Sequence, residues 1–248
     1  HLKHLLIVLA VLLLLPGIIH NNIKADGDAY DYAYLSGDTL VFFQSTENYE
    51  NDTVTDITDI NGNTYTGVRV FTGIDDTGVV PPWEDYKDQI KYVFVGAGTI
   101  TPTTTMHWFD YCYNLTEINL ADFDFSNVEY ADCMFKCCTS LQNISLLGNW
   151  ASVRSMSQMF DGCENLLNVE FSDFQTGDSL NNMNMFFRDC KKLQGSYLDF
   201  SGFDTSNVTY MIEMFRGCSS MSFLNLSTLD TSSVETMSGM FYLCEILS

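Results

Sequence analysis

Eight cysteines are the residues whose type and spacing could most directly do chemistry, because thiols form disulfides, bind zinc or act as nucleophiles. Six of them, here called the register cysteines, end a repeated Phe-x-x-Cys motif at intervals of 26, 25, 27, 28 and 26 residues. Such a fixed period is typical of stacked repeats. We therefore predict a repeat core made of Phe109, Phe135, Phe160, Phe187, Phe215 and Phe241 with Cys112, Cys138, Cys163, Cys190, Cys218 and Cys244.

Two further cysteines, Cys133 and Cys137, lie close to Cys138 in the second repeat. Neighbouring strands lie about 5 Å apart, near the Cα separation that a disulfide tolerates. A disulfide from Cys112 to Cys137 or Cys138 is therefore feasible, and Cys133 is a further candidate. The later four register cysteines are expected to be free or partly paired buried thiols. A zinc site made of Cys133, Cys137 and Cys138 is not expected, because these three cysteines lack the usual paired ligand spacing and have no histidine nearby.

Strand-like segments follow the register cysteines and would position them. Leu115, Ile118 and Leu120 form an L-x-x-I-x-L pattern, which returns from Leu141. Alternate residues of an extended segment share one face, so each pattern could supply one rung of a parallel sheet. Methionines at a regular spacing close each repeat and are expected to fill the core. We predict that residues 106–248 form a leucine-rich-repeat-like solenoid, with a parallel β-sheet and short helical or turn segments in each coil of about 26 residues.

The repeat resembles the BspA-type leucine-rich repeat of bacterial surface proteins, also called the DUF285 repeat. Met211 to Val234 reads M-x-x-M-F-x-x-C-x-x-M-x-x-L-x-L-S-x-x-D-T-S-x-V, which is close to that repeat throughout. The similarity extends upstream through Trp108-Phe109 and Pro82-Trp83 to a strand-like segment at 35–42, so that it covers about residues 30 to 248. The resemblance implies a secreted or cell-surface protein linked to adhesion, and it implies no catalysis.

The N-terminal part of the chain differs in composition from the repeats. Residues 1–25 contain an apolar run at 5–15 and are interpreted as a signal peptide or as an apolar N-terminal arm. Residues 26–105 contain no cysteine or methionine, carry strand-like runs and are broken by Asp-Gly, Asn-Gly and Pro-Pro turns. We expect a β-rich cap that leads into the first coil and covers its open face.

A net charge of -21, from 32 acidic and 11 basic residues, excludes a typical nucleic-acid-binding surface. The same charge repels anionic membranes, so membrane contact is expected only through the N-terminal apolar segment if that segment is retained. The negative charge is compatible with binding of cationic partners or divalent ions. Asp26, Asp28 and Asp31, or Asp59 with Asn61 and Asn63, could hold calcium, but solvated turns are the preferred interpretation. No metal or other cofactor is predicted.

Asn-x-Ser/Thr triplets mark five candidate N-glycosylation sites, at Asn51, Asn114, Asn143, Asn207 and Asn225. Asn207 lies on a predicted turn and is the preferred candidate. Asn225 lies beside strand residues and points outward by alternation. Modification depends on a source organism that glycosylates and on exposure of the site.

The sequence favours a non-catalytic protein. His107 is the one histidine outside the leader, and no phosphate loop, nucleophile elbow or metal-ligand cluster is present. We expect an extracellular, secreted or cell-surface protein that serves adhesion or interaction with another protein or a glycan. The alternative is a structural subunit of an extracellular fibril, made by head-to-tail stacking of copies. The chain stops at Ser248, where a further strand is expected, so the sequence is either truncated or its last coil meets another subunit.

Overall fold

The computed structural model describes residues 30–74, 80–171 and 173–248. The predicted signal peptide or arm at 1–25 lies outside these residues, as do Asp26 and Asp28. Within the described residues, no helix has both the length and the apolar character that crossing a membrane requires.

The largest element is a mixed sheet of six strands. Its strands are β1 (Tyr30–Ser36), β2 (Thr39–Ser45), β3 (Thr53–Thr58), β4 (Thr64–Phe71), β5 (Tyr92–Ala97) and β6 (Glu117–Ile118), in the order β3-β4-β1-β2-β5-β6. The pairs β1–β2, β1–β4 and β3–β4 are antiparallel, whereas β2–β5 and β5–β6 are parallel. β1 and β2 form a hairpin with a two-residue loop, where Gly37 adopts a φ of 60° that a residue without Cβ accepts readily.

The remaining regular structure is short. β7 (Asn143–Ser145) pairs in parallel with β9 (Asn168–Glu170), and β8 (Asn149–Trp150) pairs in parallel with β10 (Gln175–Thr176). Two 3₁₀ helices span Glu84–Gln89 and Gly195–Tyr197, and the described residues contain no α-helix.

The predicted leucine-rich-repeat-like solenoid with a continuous parallel sheet is therefore wrong. The main sheet is mostly antiparallel and is built largely by residues 30–97, while the repeats contribute strands of two or three residues. The physical reason is that each repeat is mostly turns, including a sharp one before each Phe-x-x-Cys motif, so that the strands predicted after the cysteines shorten to three residues or fewer. Each of the first five repeats has a left-handed residue five positions before its register cysteine, with φ between 53° and 59°: His107, Cys133, Gln158, Met185 and Glu213. Non-glycine residues seldom adopt this conformation, and it is incompatible with a strand.

Successive repeats nevertheless contact one another in register. Single parallel bridges join Thr104 to Tyr130 and then continue through Ser155, Asn182 and Tyr210 to Thr236. Backbone amides cross between repeats, as from Phe109 N to Met134 O at 2.9 Å. The phenylalanines of the motif stack with ring centroids 5.4 to 5.9 Å apart, forming what we call the phenylalanine row.

Two tryptophans join the six-stranded sheet to the repeats. Trp83 and Trp108 each lie 5.3 Å from the ring of Phe42 on β2, and Trp83 Nε1 donates a hydrogen bond of 2.7 Å to the carbonyl oxygen of Trp108. One hydrophobic core consequently runs from Ala33 in the sheet to Met240 in the last repeat. A second, smaller cluster, which includes Tyr32, Phe43 and Val70, lies on the other face of the sheet.

Candidate functional site

The residues of the predicted repeat core line the interior of the stack, except at its last repeat. Five of the six phenylalanines are fully buried, and Cys163, Cys190 and Cys218 are buried with them. Phe241 is 40% exposed, and Cys244 is partly exposed.

The candidate disulfides are not formed. All eight cysteines of the sequence lie in the described part of the chain, and each one is a free thiol. Cys112, Cys133 and Cys138 are buried, whereas Cys137 is partly exposed. Cys112 and Cys138 are both buried in the core, where Cys138 Sγ forms a hydrogen bond with the carbonyl oxygen of Phe109 and no bond with Cys112.

The register cysteines act as hydrogen-bond donors between repeats. Cys138 Sγ donates to the carbonyl oxygen of Phe109 at 3.0 Å, and Cys163 Sγ donates in the same way to Phe135. The pattern continues with bonds of 3.0 to 3.1 Å from Cys190 to Phe160, from Cys218 to Phe187 and from Cys244 to Phe215. Burial raises the pKa of each of these thiols, and it raises that of Cys133 to about 11. The thiols are thus held in the protonated form that donates, not in the thiolate form that reacts.

Charged side chains form a second row, two residues before successive register cysteines. Arg188 donates to both carboxylate oxygens of Asp161, at 2.8 and 2.7 Å, and its other nitrogen lies 3.4 Å from Glu213. Lys136 approaches Asp161 at 3.5 Å, and Arg216 approaches Glu213 at 3.1 Å. Opposite charges therefore face one another across the repeats. Our sequence reasoning missed this row, although alignment of the repeats on their cysteines would have revealed it.

The row begins at a buried carboxylate, Asp110, between the sheet region and the first repeat. Lys87, from the first 3₁₀ helix, forms an ion pair with Asp110, and His107 Nδ1 lies 2.5 Å from Asp110 Oδ2. Burial opposes ionisation of Asp110, but the hydrogen bonds from His107 and Lys87 outweigh it and lower the pKa of the carboxyl. The ionised carboxylate of Asp110 therefore contacts both Lys87 and His107, and its contact with Lys87 joins the first repeat to the sheet region.

A serine and a second aspartate lie close to this cluster without forming a nucleophilic relay. Ser155 Oγ donates to Asp132 Oδ1 at 2.5 Å, while the ring of His107 contacts Asp110. Burial raises the pKa of Asp132. A serine nucleophile needs a base within hydrogen-bond reach, and here the hydroxyl is directed to a carboxylate that is less basic than imidazole.

All five candidate glycosylation sites are exposed. The atom that would carry a glycan, Nδ2, is engaged in two of them: Asn114 donates to Asp88 O at 2.8 Å, and Asn207 donates to Asp178 O at 3.0 Å. In Asn51 and Asn225 the side-chain oxygen accepts a backbone amide instead. Asn143 begins β7 with its side chain exposed. Glycosylation at Asn207, the candidate preferred from sequence, would break a contact between repeats.

The candidate calcium residues at 59–63 form a turn. Asp59 Oδ1 accepts hydrogen bonds from the backbone amides of Asn61 and Asn63, and Oδ2 accepts from the side chains of Asn63 and Tyr65. Asp31 bonds to Gln44 and Thr101. Over residues 30–74, 80–171 and 173–248, no cluster of three or more His, Cys, Asp and Glu side chains is arranged to hold a metal ion.

Exposed tyrosines are the feature that sequence reasoning missed on the repeat surface. Tyr111 and Tyr113 flank Cys112, are 42% and 45% exposed, and have ring centroids 6.0 Å apart. Tyr130 and Tyr210 are exposed on the column of single bridges. These aromatic residues lie outside the L-x-x-I-x-L segments, whose pattern was the basis for predicting the sheet.

A family model described as "Mycoplasma protein of unknown function, DUF285" matches residues 99–174 and 154–248, which together are more than half of the chain. No curated protein matches the sequence. No solved structure matches it either.

Proposed function

The chain belongs to the DUF285 family, and from this premise we propose that it is a non-catalytic, extracellular or cell-surface repeat protein that binds another protein or a glycan. Repeats that stack in register make an extended rigid surface, and such surfaces commonly serve binding. The strongly acidic composition keeps this surface soluble and favours partners with basic groups.

The pair of exposed tyrosines, Tyr111 and Tyr113, is the observation that carries this proposal. Their backbone is held in place, because Tyr111 N donates to Lys136 O at 2.7 Å and the intervening Cys112 is buried. Two aromatic rings on a fixed backbone lose little conformational entropy when they bind. Tyrosine is also among the residues most enriched at the energetic centres of interfaces.

Binding of the purified chain to intact cells, extracellular-matrix proteins and a glycan array tests the proposal. The wild type should bind at least one of these targets saturably, and the double variant Tyr111→Ala/Tyr113→Ala should bind about tenfold more weakly, as expected for the loss of a hot spot. Tyr197→Ala is the matched control, because Tyr197 is 66% exposed elsewhere on the repeats. Equal binding by the double variant and the control would refute the assignment to this pair.

A structural subunit of an extracellular fibril is the second candidate. It is favoured by the in-register stacking of the repeats, which single parallel bridges join from Thr104 to Thr236. Stacking of this kind produces a filament when it continues from one copy to the next without closing on itself. Electron microscopy with light scattering at micromolar concentration separates the two candidates: filaments favour the fibril, whereas monomers favour the binding protein.

A further inference from the structure

A cavity of about 370 Å³ opens beside the start of β1 and the end of β2, and the tyrosine pair of the repeats does not line it. It lies where β1 extends beyond its pairing with β4, since the last paired residues are Ala33 and Phe71. The volume falls in the range of small-ligand pockets. The nine lining residues include one carboxylate, that of Asp31, and no basic side chain.

Neighbouring donors hold the Asp31 carboxylate in a fixed orientation. Gln44 Nε2 donates to Asp31 Oδ1 at 2.8 Å, and the backbone amide of Thr101 donates to Oδ2 at 3.0 Å. Gln44 Nε2 also donates to Thr99 O, so both of its N–H groups are used and Oε1 remains as an acceptor. Gly98 permits this arrangement, because a Cβ there would lie 2.3 Å from Gln44 Oε1.

The charged acceptor on the polar side of the cavity is the Asp31 carboxylate. Each carboxylate oxygen can accept more than one hydrogen bond, so Asp31 retains acceptor capacity after binding Gln44 and Thr101. Both partners of Asp31 are neutral, and among the described residues it forms no ion pair with a basic side chain. Among the described residues, no lysine, arginine or histidine side chain therefore neutralises the charge of Asp31.

Aromatic rings form the other side. Tyr30, at the rim, is 50% exposed, and its ring centroid lies 6.4 Å from that of Tyr32. Tyr49 meets Tyr32 edge-on at 5.2 Å and is fixed by a hydrogen bond of 2.8 Å from Thr58 N to its hydroxyl. Because these contacts already order Tyr32 and Tyr49, a ligand would not bear the entropic cost of ordering them.

We propose that this cavity binds an organic cation, namely an ammonium or guanidinium group, through ion pairing with Asp31 and contact with the tyrosines. A cation satisfies both sides at once: it supplies the donors that the free acceptors need, and aromatic rings attract cations. The net charge of -21 raises the local concentration of cations around the protein. The group belongs either to a free amine or to a lysine or arginine side chain of a polypeptide.

Isothermal titration of the full chain with N-acetyl-lysine methylamide and N-acetyl-arginine methylamide tests the site. At least one probe should bind saturably, and its affinity should fall when the salt concentration is raised, because salt screens ion pairs. The neutral citrulline analogue should bind about tenfold more weakly or not at all. A lysine- or arginine-containing peptide that binds more tightly than the single amino-acid probes assigns the site to a polypeptide side chain, whereas equal affinity assigns it to free amines.

Asp31→Asn should reduce affinity for the cationic probe about tenfold, because it removes the charge and preserves the shape of the side chain. Asp38→Asn is the matched control: it lies at the other end of the same hairpin, is exposed, and should leave binding within twofold. Tyr30→Ala, at the exposed rim, should also weaken binding. It provides a second test in case Asp31→Asn impairs folding, and thermal melting checks the folding of both variants. Equal binding of the citrulline and arginine probes, unchanged affinity in Asp31→Asn and Tyr30→Ala, or no saturable binding of either cation would overturn the proposal.

Discussion

Cys163 donates its thiol hydrogen to the carbonyl oxygen of Phe135, 3.0 Å away in the preceding repeat. The same bond recurs between each of the five neighbouring pairs of motif repeats, always from a register cysteine to the phenylalanine of the preceding motif. Each of these carbonyls also accepts the backbone amide of the cysteine in its own motif, as Cys138 N donates to Phe135 O at 3.1 Å, so the thiol of the next repeat supplies a second hydrogen bond that links the repeats. The repeated cysteine therefore serves a structural purpose that requires the reduced thiol.

Replacement of Cys163 separates its hydrogen bond from its volume. Cys163→Ala should lower the free energy of unfolding by about 1 to 2 kcal/mol, through the loss of the second hydrogen bond to Phe135 O and a small cavity. Cys163→Ser retains a donor and should be less destabilising than the alanine variant. Urea unfolding measures both, with the partly exposed Cys137→Ala as control at under about 0.5 kcal/mol. Equal losses for serine and alanine would show that the thiol only fills space.

The phenylalanine row should contribute strongly to stability at its interior positions. Phe215 is fully buried between Phe187, at 5.9 Å, and Phe241, at 5.8 Å. Phe215→Ala should therefore cost about 3 to 5 kcal/mol in the free energy of unfolding. Phe223 is 56% exposed and provides the control, for which we expect under about 0.5 kcal/mol. A cost below about 1 kcal/mol for Phe215→Ala in chemical denaturation would contradict its place in the core.

The ion pair between Arg188 and Asp161 should matter more than an exposed pair of the same kind. Asp161 has only 5% of its side chain exposed, so Arg188→Met leaves a nearly buried carboxylate with Lys136 alone. We expect a loss of about 2 kcal/mol, less than for a fully buried pair because Arg188 is partly exposed. Arg154→Met removes an exposed pair with Glu129 and should cost under about 0.5 kcal/mol. Similar losses in thermal unfolding would contradict this ranking.

Acid should weaken the junction at Asp110. The folded-state pKa of Asp110 is lowered, so its contribution to stability is present above the unfolded pKa of about 3.9 and is lost as the pH falls through the folded value. Asp110→Asn should therefore flatten the dependence of unfolding free energy on pH below about pH 5 and should destabilise the protein at pH 7 by about 2 kcal/mol.

Denaturation at several pH values, with the exposed Asp38→Asn as control, measures this effect. The control retains the other carboxylates and should follow the wild-type pH profile. If the unfolding free energies of Asp110→Asn and the wild type ran parallel between pH 5 and pH 2, the pKa of Asp110 would not be lowered on folding.

The sequence alone determined the period of the repeats, which residues of the motif face inward, and membership of the DUF285 family, because a fixed interval of Phe-x-x-Cys can be read without coordinates. It did not determine the backbone path. Left-handed residues such as His107 and Cys133 place turns before the register cysteines, and the strands predicted after those cysteines shorten to three residues or fewer. The two-tryptophan junction, the thiol donors and the Asp31 cavity likewise depend on which residues meet across long sequence separations. Asp31 and Thr101 are brought together only by the folded sheet, and this contact is what turns an acidic residue into part of a candidate binding site.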